Sequence, residues 1–242
     1  MNTKVKEIIS KVVLSDKKLK IKLLGDSITH GVGGTGYNEN GEHIILNYAR
    51  NTDGYCWANL FKKHMESHYN CSVVNNACSG TAIEHIIDSY DQLVDSDDDI
   101  VICAIGTNNR SQRFDNPPKR TKQEHMKYFY NKIIKLYYML KEDGKDVIFI
   151  ANIPASVENE KDGSFFWRLF HMNDVNDIYM KASITCGFPF VSLYSLFMEY
   201  CNLKDRTVES FLDDTVHPND EGHSVIFRLL MKEFGLGIEY KG

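Results

Sequence analysis

Residues 19–36 read LKIKLLGDSITHGVGGTG. The first six form an apolar run that reads as a strand. The rest is a loop with two competing features. Gly31, Gly33 and Gly36 fit G-x-G-x-x-G, the pattern that cradles a pyrophosphate where a helix begins. Ser27 stands directly after the strand, where a loop can expose a hydroxyl. The glycine reading requires those glycines to open a helix, and a later strand to end in an acidic residue. Here YNENGEH follows, a polar turn-forming run, and no second strand ends that way at the right distance. The stretch therefore reads as a loop that presents a hydroxyl.

Four more short apolar runs read as strands: residues 72–75, 100–105, 147–151 and 190–193. Most are continuous rather than alternating, as in parallel strands covered on both faces. Helical spacing of apolar residues appears between them, at 55–68, 82–94, 123–140, 174–185 and 221–234. Strand and helix alternate, so the class is α/β with a parallel sheet and helices on both sides. No linker, repeat or low-complexity tract divides the 242 residues. We read one domain, residues 1–242, with its core over about 19–234.

The net charge is −5, and no long basic stripe appears, which argues against nucleic acid as a partner. No apolar run approaches membrane-spanning length, and the lysine-rich N-terminus lacks a signal-peptide core. The expectation is a cytoplasmic protein with no membrane insertion. Six cysteines without a C-x-x-C spacing read as reduced, packed thiols. The acidic run DSDDD, 95–99, reads as a solvated turn before a strand. His64 and His68 stand four apart, but in HMESH the glutamate of a zinc motif is displaced, so a solvated helix face is expected. No metal or cofactor is expected.

In such sheets ligands gather at the carboxyl ends of the strands. There stand Ser27 in GDS, Gly80 in NNACSGT and Asn108 in GTNN. Asp214 and His217 lie in DDTVHPNDEGH before the last helix. Acyl transfer needs a hydroxyl, a base to take its proton, a carboxylate to hold that base, and donors for an oxyanion. Ser27, His217 and Asp214 supply the first three. The N–H groups of Ser27 and Gly80 and the amide of Asn108 supply the donors. Ser79 is a rival nucleophile without the GD turn, and Asp213 a rival carboxylate without the D-x-x-H spacing. Asp26 reads as a turn builder and His223 as structural. No G-x-S-x-G elbow exists, which argues against an ordinary α/β-hydrolase.

Four blocks in order resemble the SGNH/GDSL hydrolase family: GDSITHG at 25–31, NNACSGT at 75–81, GTNN at 106–109 and DTVHPNDEGH at 214–223. Trp57 and Leu60 fit the helix that follows the first block. One departure is Asn109, where the family often carries Asp. The resemblance implies a three-layer α/β/α flavodoxin-like fold with a central five-stranded parallel sheet. It also implies a catalytic triad of Ser27, His217 and Asp214 with an oxyanion hole of Ser27, Gly80 and Asn108. The expected activity is hydrolysis of short acyl esters, such as acetyl on a carbohydrate or small molecule. Alternatives are acyl transfer from the same site, or a non-catalytic carbohydrate-binding module. Loops 33–53 and 154–171 are where substrate choice would differ; the aromatic cluster Phe165, Phe166, Trp167 and Phe170 in the second reads either as a helix that packs its apolar side inward or as a pocket lining.

Overall fold

The computed structural model describes residues 3–38, 49–111, 120–161 and 168–237. Five strands, β1 (Leu19–Gly25), β2 (Cys71–Asn75), β3 (Ile100–Ala104), β4 (Asp146–Ala151) and β5 (Phe190–Ser192), form one sheet in the order β2-β1-β3-β4-β5. Every pairing is parallel. This is the expected flavodoxin-like α/β/α arrangement. The direction of strand addition reverses between β1 and β3, and an open α/β sheet offers its ligand crevice at that reversal.

The period of two along a strand divides the core into two layers. Ile100, Ile102 and Ala104 of β3 face one cluster with Ile21, Leu23 and Ile148; Val101 and Cys103 face the other with Leu24 and Phe149. α1 (Thr3–Leu14), α3 (Trp57–His68), α9 (Leu193–Lys204) and α10 (Asp220–Phe234) cover the first face. α4 (Ile83–Asp88), α5 (Tyr90–Leu93), α6 (Lys122–Glu142) and α8 (Met172–Cys186) cover the second. The two short helices α2 (Ser27–His30) and α7 (Val157–Glu160) sit at the carboxyl ends of β1 and β4.

Several boundaries differ from those expected. The helical pattern at 82–94 is broken at Ser89 (φ −111°, ψ 24°), which separates α4 from α5. α1 and α9 were not among the expected helices. α1 buries Val5, Ile8, Ile9 and Val12 at helical spacing, and these join the core together with Leu236, so the core extends beyond 19–234. α9 follows β5 directly, with Ser192 as its N-cap.

The acidic run is also less solvated than expected. Asp98 is buried, and its carboxylate and that of Asp95 both pair with the buried ammonium of Lys22, at 3.4 and 2.7 Å. Lys20 pairs with Asp97. The three carboxylates approach within 4.8 Å of one another, but lysine ammonium groups already stand against them. Lys22 points from β1 into a layer otherwise lined by apolar groups, so a buried cation demands these partners. The six cysteines are free, and all but Cys186 are buried. Among the described residues no helix is long and apolar enough to cross a membrane.

Phe149 is fully buried on β4 between the rings of Tyr179 and Phe188. Phe149→Ala is expected to lower unfolding stability by about 3–5 kcal/mol, read from urea denaturation midpoints.

Candidate active site

The chain leaves β1 at Gly25, and Asp26 turns it. Asp26 is extended (φ −99°, ψ −159°) and caps α2, its Oδ1 accepting from Ile28 N–H at 3.1 Å. Ser27 is the first residue of that helix. Its N–H is one of the first-turn donors that no intrahelical carbonyl can satisfy.

Loop 212–218 brings Asp214 and His217 to the Ser27 turn. Leu212 and Pro218 form an antiparallel bridge, and Asp213 N–H donates to His217 C=O at 2.8 Å. Inside this closed loop Asp214 Oδ1 accepts from the N–H groups of Val216 and His217, at 2.7 and 2.8 Å. Asp214 Oδ2 lies 2.7 Å from His217 Nδ1, and His217 Nε2 lies 2.8 Å from Ser27 Oγ. Burial alone would raise the Asp214 carboxyl, but the N–H groups and the imidazole hold it below the ordinary aspartate value. Asp213 is exposed and stands outside this chain of bonds.

The loop after β2 joins from the other side. Cys78 N–H donates to Gly25 C=O at 3.2 Å, which ties this loop to the start of the Ser27 turn. Gly80 lies in it with φ 75°. Ser79 N–H donates to His30 Nδ1 at 3.1 Å, and His30 Nε2–H donates to Ala49 C=O at 2.8 Å, so His30 is the Nε2–H tautomer. One N–H of Asn108 donates to Thr81 C=O at 2.9 Å, which fixes its amide beside the Gly80 loop. Ser27, Gly80, Asn108, Asp214 and His217 thus occupy one end of the sheet.

The glycine-rich tail of the opening stretch has a packing role. At Gly33 (φ 92°) a Cβ would lie 2.3 Å from Pro218 O and 3.2 Å from His217 Cβ. Only a residue without a side chain lets loop 33–36 close against the histidine loop.

A layer of buried polar groups supports the site, and sequence reading missed it. Asp26 is fully buried and also accepts from Asn152 Nδ2 at 3.0 Å; Asn152 donates in turn to Thr107 Oγ1 at 2.9 Å. Burial pushes the Asp26 carboxyl up to about 6, against the lowering effect of Thr107 and Ile28. Arg110 is fully buried, with its guanidinium on Glu160 at 2.7 Å, Asn159 at 3.1 Å and Thr107 C=O at 3.1 Å. Burial lowers Arg110 to about 10, so it stays charged at neutral pH. Asn159 donates to Thr215 Oγ1 at 2.8 Å, and Ser156 N–H to Thr215 C=O at 2.9 Å. These bonds hold the residue after Asp214. Asn152 follows β4 directly, so the post-strand rule that selected Ser27 and Asn108 also points to it.

His64 and His68 stack at 4.3 Å between ring centroids, and His68 Nδ1–H donates to His64 C=O. Phe165, Phe166 and Trp167 lie outside the described residues, as do 39–48 of the first long loop. Phe170 is buried in the core against His125 and Phe129.

The model of the GDSL-like lipase/acylhydrolase family matches residues 23–225. The chain belongs to this family. Acetylxylan esterase Axe2 from Geobacillus stearothermophilus superposes with a TM-score of 0.66 at 18% identity, over 93% of this chain and 98% of that one. A catalytic aspartate-to-alanine mutant of Axe2 gives 0.67 at 20%, over 91% and 96%. A protein from Parabacteroides merdae assigned to the GDSL-like lipases gives 0.68 at 16%, over 91% and 97%. At these identities the likeness establishes the fold. No curated protein sequence matches the chain significantly. As a GDSL-like acylhydrolase, the protein is a serine hydrolase of ester bonds.

His223 ties this region to the scaffold. Its Nδ1 accepts from Trp57 N–H at 3.4 Å and its Nε2–H donates to Val32 C=O at 3.3 Å. Burial drops His223 to about 4. The unfolded chain takes up this proton near pH 6.5 and the folded chain only near 4. Its contribution to stability is therefore full above pH 6.5 and is lost as pH falls toward 4, by about 3 kcal/mol in all. Asp26 acts with the opposite sign: its raised value favours the folded state at low pH, and this contribution is lost as pH rises from 3.8 to about 6. His223→Gln is expected to give a shallower fall in Tm between pH 6.5 and 4 than the unmodified chain, measured by thermal melts across that range.

Proposed function

We propose that Ser27 is the nucleophile of this esterase, with His217 as general base and acid and Asp214 as the carboxylate that orients it. The observation that carries this reading is the continuous chain Ser27 Oγ–His217 Nε2 and His217 Nδ1–Asp214 Oδ2, at 2.8 and 2.7 Å, between residues 190 apart. His217 takes the Ser27 proton at Nε2 as Oγ attacks the ester carbonyl. With Asp214 ionised and accepting from Nδ1–H, the imidazolium is stabilised and the ring cannot turn. The oxyanion is met by the N–H groups of Ser27 and Gly80 and by the second amide N–H of Asn108. His217 then protonates the leaving alkoxide, which gives an acyl-Ser27. Water attacks that ester, its proton passing to His217, and the acid leaves as His217 hands that proton to Ser27 Oγ.

Axe2 catalytic mutants in which a serine, an aspartate or a histidine is replaced by alanine share this fold, and the replaced aspartate and histidine stand three residues apart, as Asp214 and His217 do. The same likeness supports a short acyl group, acetyl, carried on a carbohydrate hydroxyl as the substrate class.

Turnover of p-nitrophenyl acetate tests the assignment. Ser27→Ala is expected to abolish it, and Asn108→Ala to slow it about a hundredfold, the ~3 kcal/mol of one oxyanion donor. Wild-type rates in pure Ser27→Ala protein would remove Ser27 from the mechanism. A panel of acetylated xylo-oligosaccharides and longer acyl esters should show preference for acetyl; faster turnover of long chains would contradict the substrate class.

A further inference from the structure

Position 109 departs from the family pattern, and the structure gives that departure a partner. Asn109 is buried at the first turn after β3, within the 3-10 turn Asn108–Arg110. Its Oδ1 accepts from Ile83 N–H at 3.0 Å, and its Nδ2 donates to Glu84 Oε2 at 2.9 Å. Both neighbours fit the same amide orientation, with Ile83 N–H donating to Oδ1 and Nδ2 donating to the Glu84 carboxylate oxygen. The backbone is held as well: Asn109 C=O accepts from His125 Nε2–H at 2.7 Å. Asn109 is thus fixed on three sides, one residue from Asn108. Ile83 and Glu84 begin α4, three and four residues after Gly80.

We propose that Asn109 and Glu84 are a matched pair of positioning residues that sets the separation between the two loops carrying the oxyanion donors. The proposal rests on the assignment of Gly80 and Asn108 as those donors. The loops are joined twice. Asn108 itself donates to Thr81, which spends one of the donor's own N–H groups. The Asn109 tie leaves the donors unencumbered. An aspartate at 109 would keep the bond from Ile83 N–H, but would set a carboxylate oxygen against Glu84 where a donor now stands. Like charges at hydrogen-bond distance beside a buried residue repel strongly. The contact at Glu84 would open, loosen the start of α4 and shift Gly80 relative to Asn108. Glutamine at 84 would restore a donor–acceptor pair with the polarity reversed.

The test uses the full chain with Asn109→Asp, Glu84→Gln, both together, and Ser27→Ala as the blank. kcat and KM are measured on p-nitrophenyl acetate, Tm by melting, and amide hydrogen exchange over residues 79–84. Asn109→Asp should lower kcat about tenfold with KM unchanged and speed exchange over 79–84; the double variant should return kcat to within about threefold of wild type. Wild-type kcat in Asn109→Asp, or a loss that Glu84→Gln does not relieve, overturns the proposal. If Asn109→Asp fails to fold, a folded and active double variant upholds the pair, and an unfolded double variant contradicts it. Turnover retained by Ser27→Ala would instead sink the catalytic assignment, and the exchange rates alone would then decide whether the pair holds these loops.

Discussion

Gly25 faces Ala104 across the pairing of β1 with β3, and that contact determines where the chemistry of this chain can stand. A Cβ at position 25 would lie 2.7 Å from Ala104 O and 2.5 Å from Thr29 Oγ1. With no side chain there, β1 ends flush against β3 and the chain folds at once into the Asp26–Ser27 turn. β2 lies on the opposite side of β1, and the loop that follows it returns Cys78 N–H to Gly25 C=O. Three strand ends therefore share one small volume at the point where strand order reverses. The histidine loop needs only to reach over that volume, and Gly33 leaves the space for it.

Around this point the polar groups form two supporting arms. One runs from Asp26 through Asn152 to Thr107, and holds the turn that carries Ser27 against the end of β3. The other runs from Arg110 through Asn159 to Thr215, and holds the loop that carries Asp214 and His217. The arms meet at Thr107, whose C=O accepts from Arg110. A buried carboxylate and a buried guanidinium are costly to desolvate, and each is compensated here by several fixed donors or acceptors. The Ser27 turn and the His217 loop are thus positioned by one connected network rather than by independent contacts.

Much of this was legible in the sequence. Continuous apolar runs such as IVICA mark strands buried on both faces, and the five runs became the five strands. Residues directly after strands come together in the fold, because a parallel sheet gathers those positions at one edge. The misses have physical causes. α9 begins where β5 ends, so no turn residues separate its apolar pattern from the strand's. α1 is read through its many lysines, although Val5, Ile8, Ile9 and Val12 recur at helical spacing. Asn159, Arg110 and Glu160 carry no local signal; only packing shows that a cation from the β3 loop and an amide from α7 meet. In the same way, Asn109 gains its partners Ile83 and Glu84 only through packing.

The central claim is that one serine of this chain, Ser27, becomes covalently acylated. Intact-protein mass spectrometry after reaction with a fluorophosphonate, followed by peptide mapping, measures this directly. The account predicts a single phosphonyl adduct, located on Ser27 and absent when His217 is replaced by alanine. An adduct on another residue such as Ser79, or no adduct on the folded protein, would contradict it.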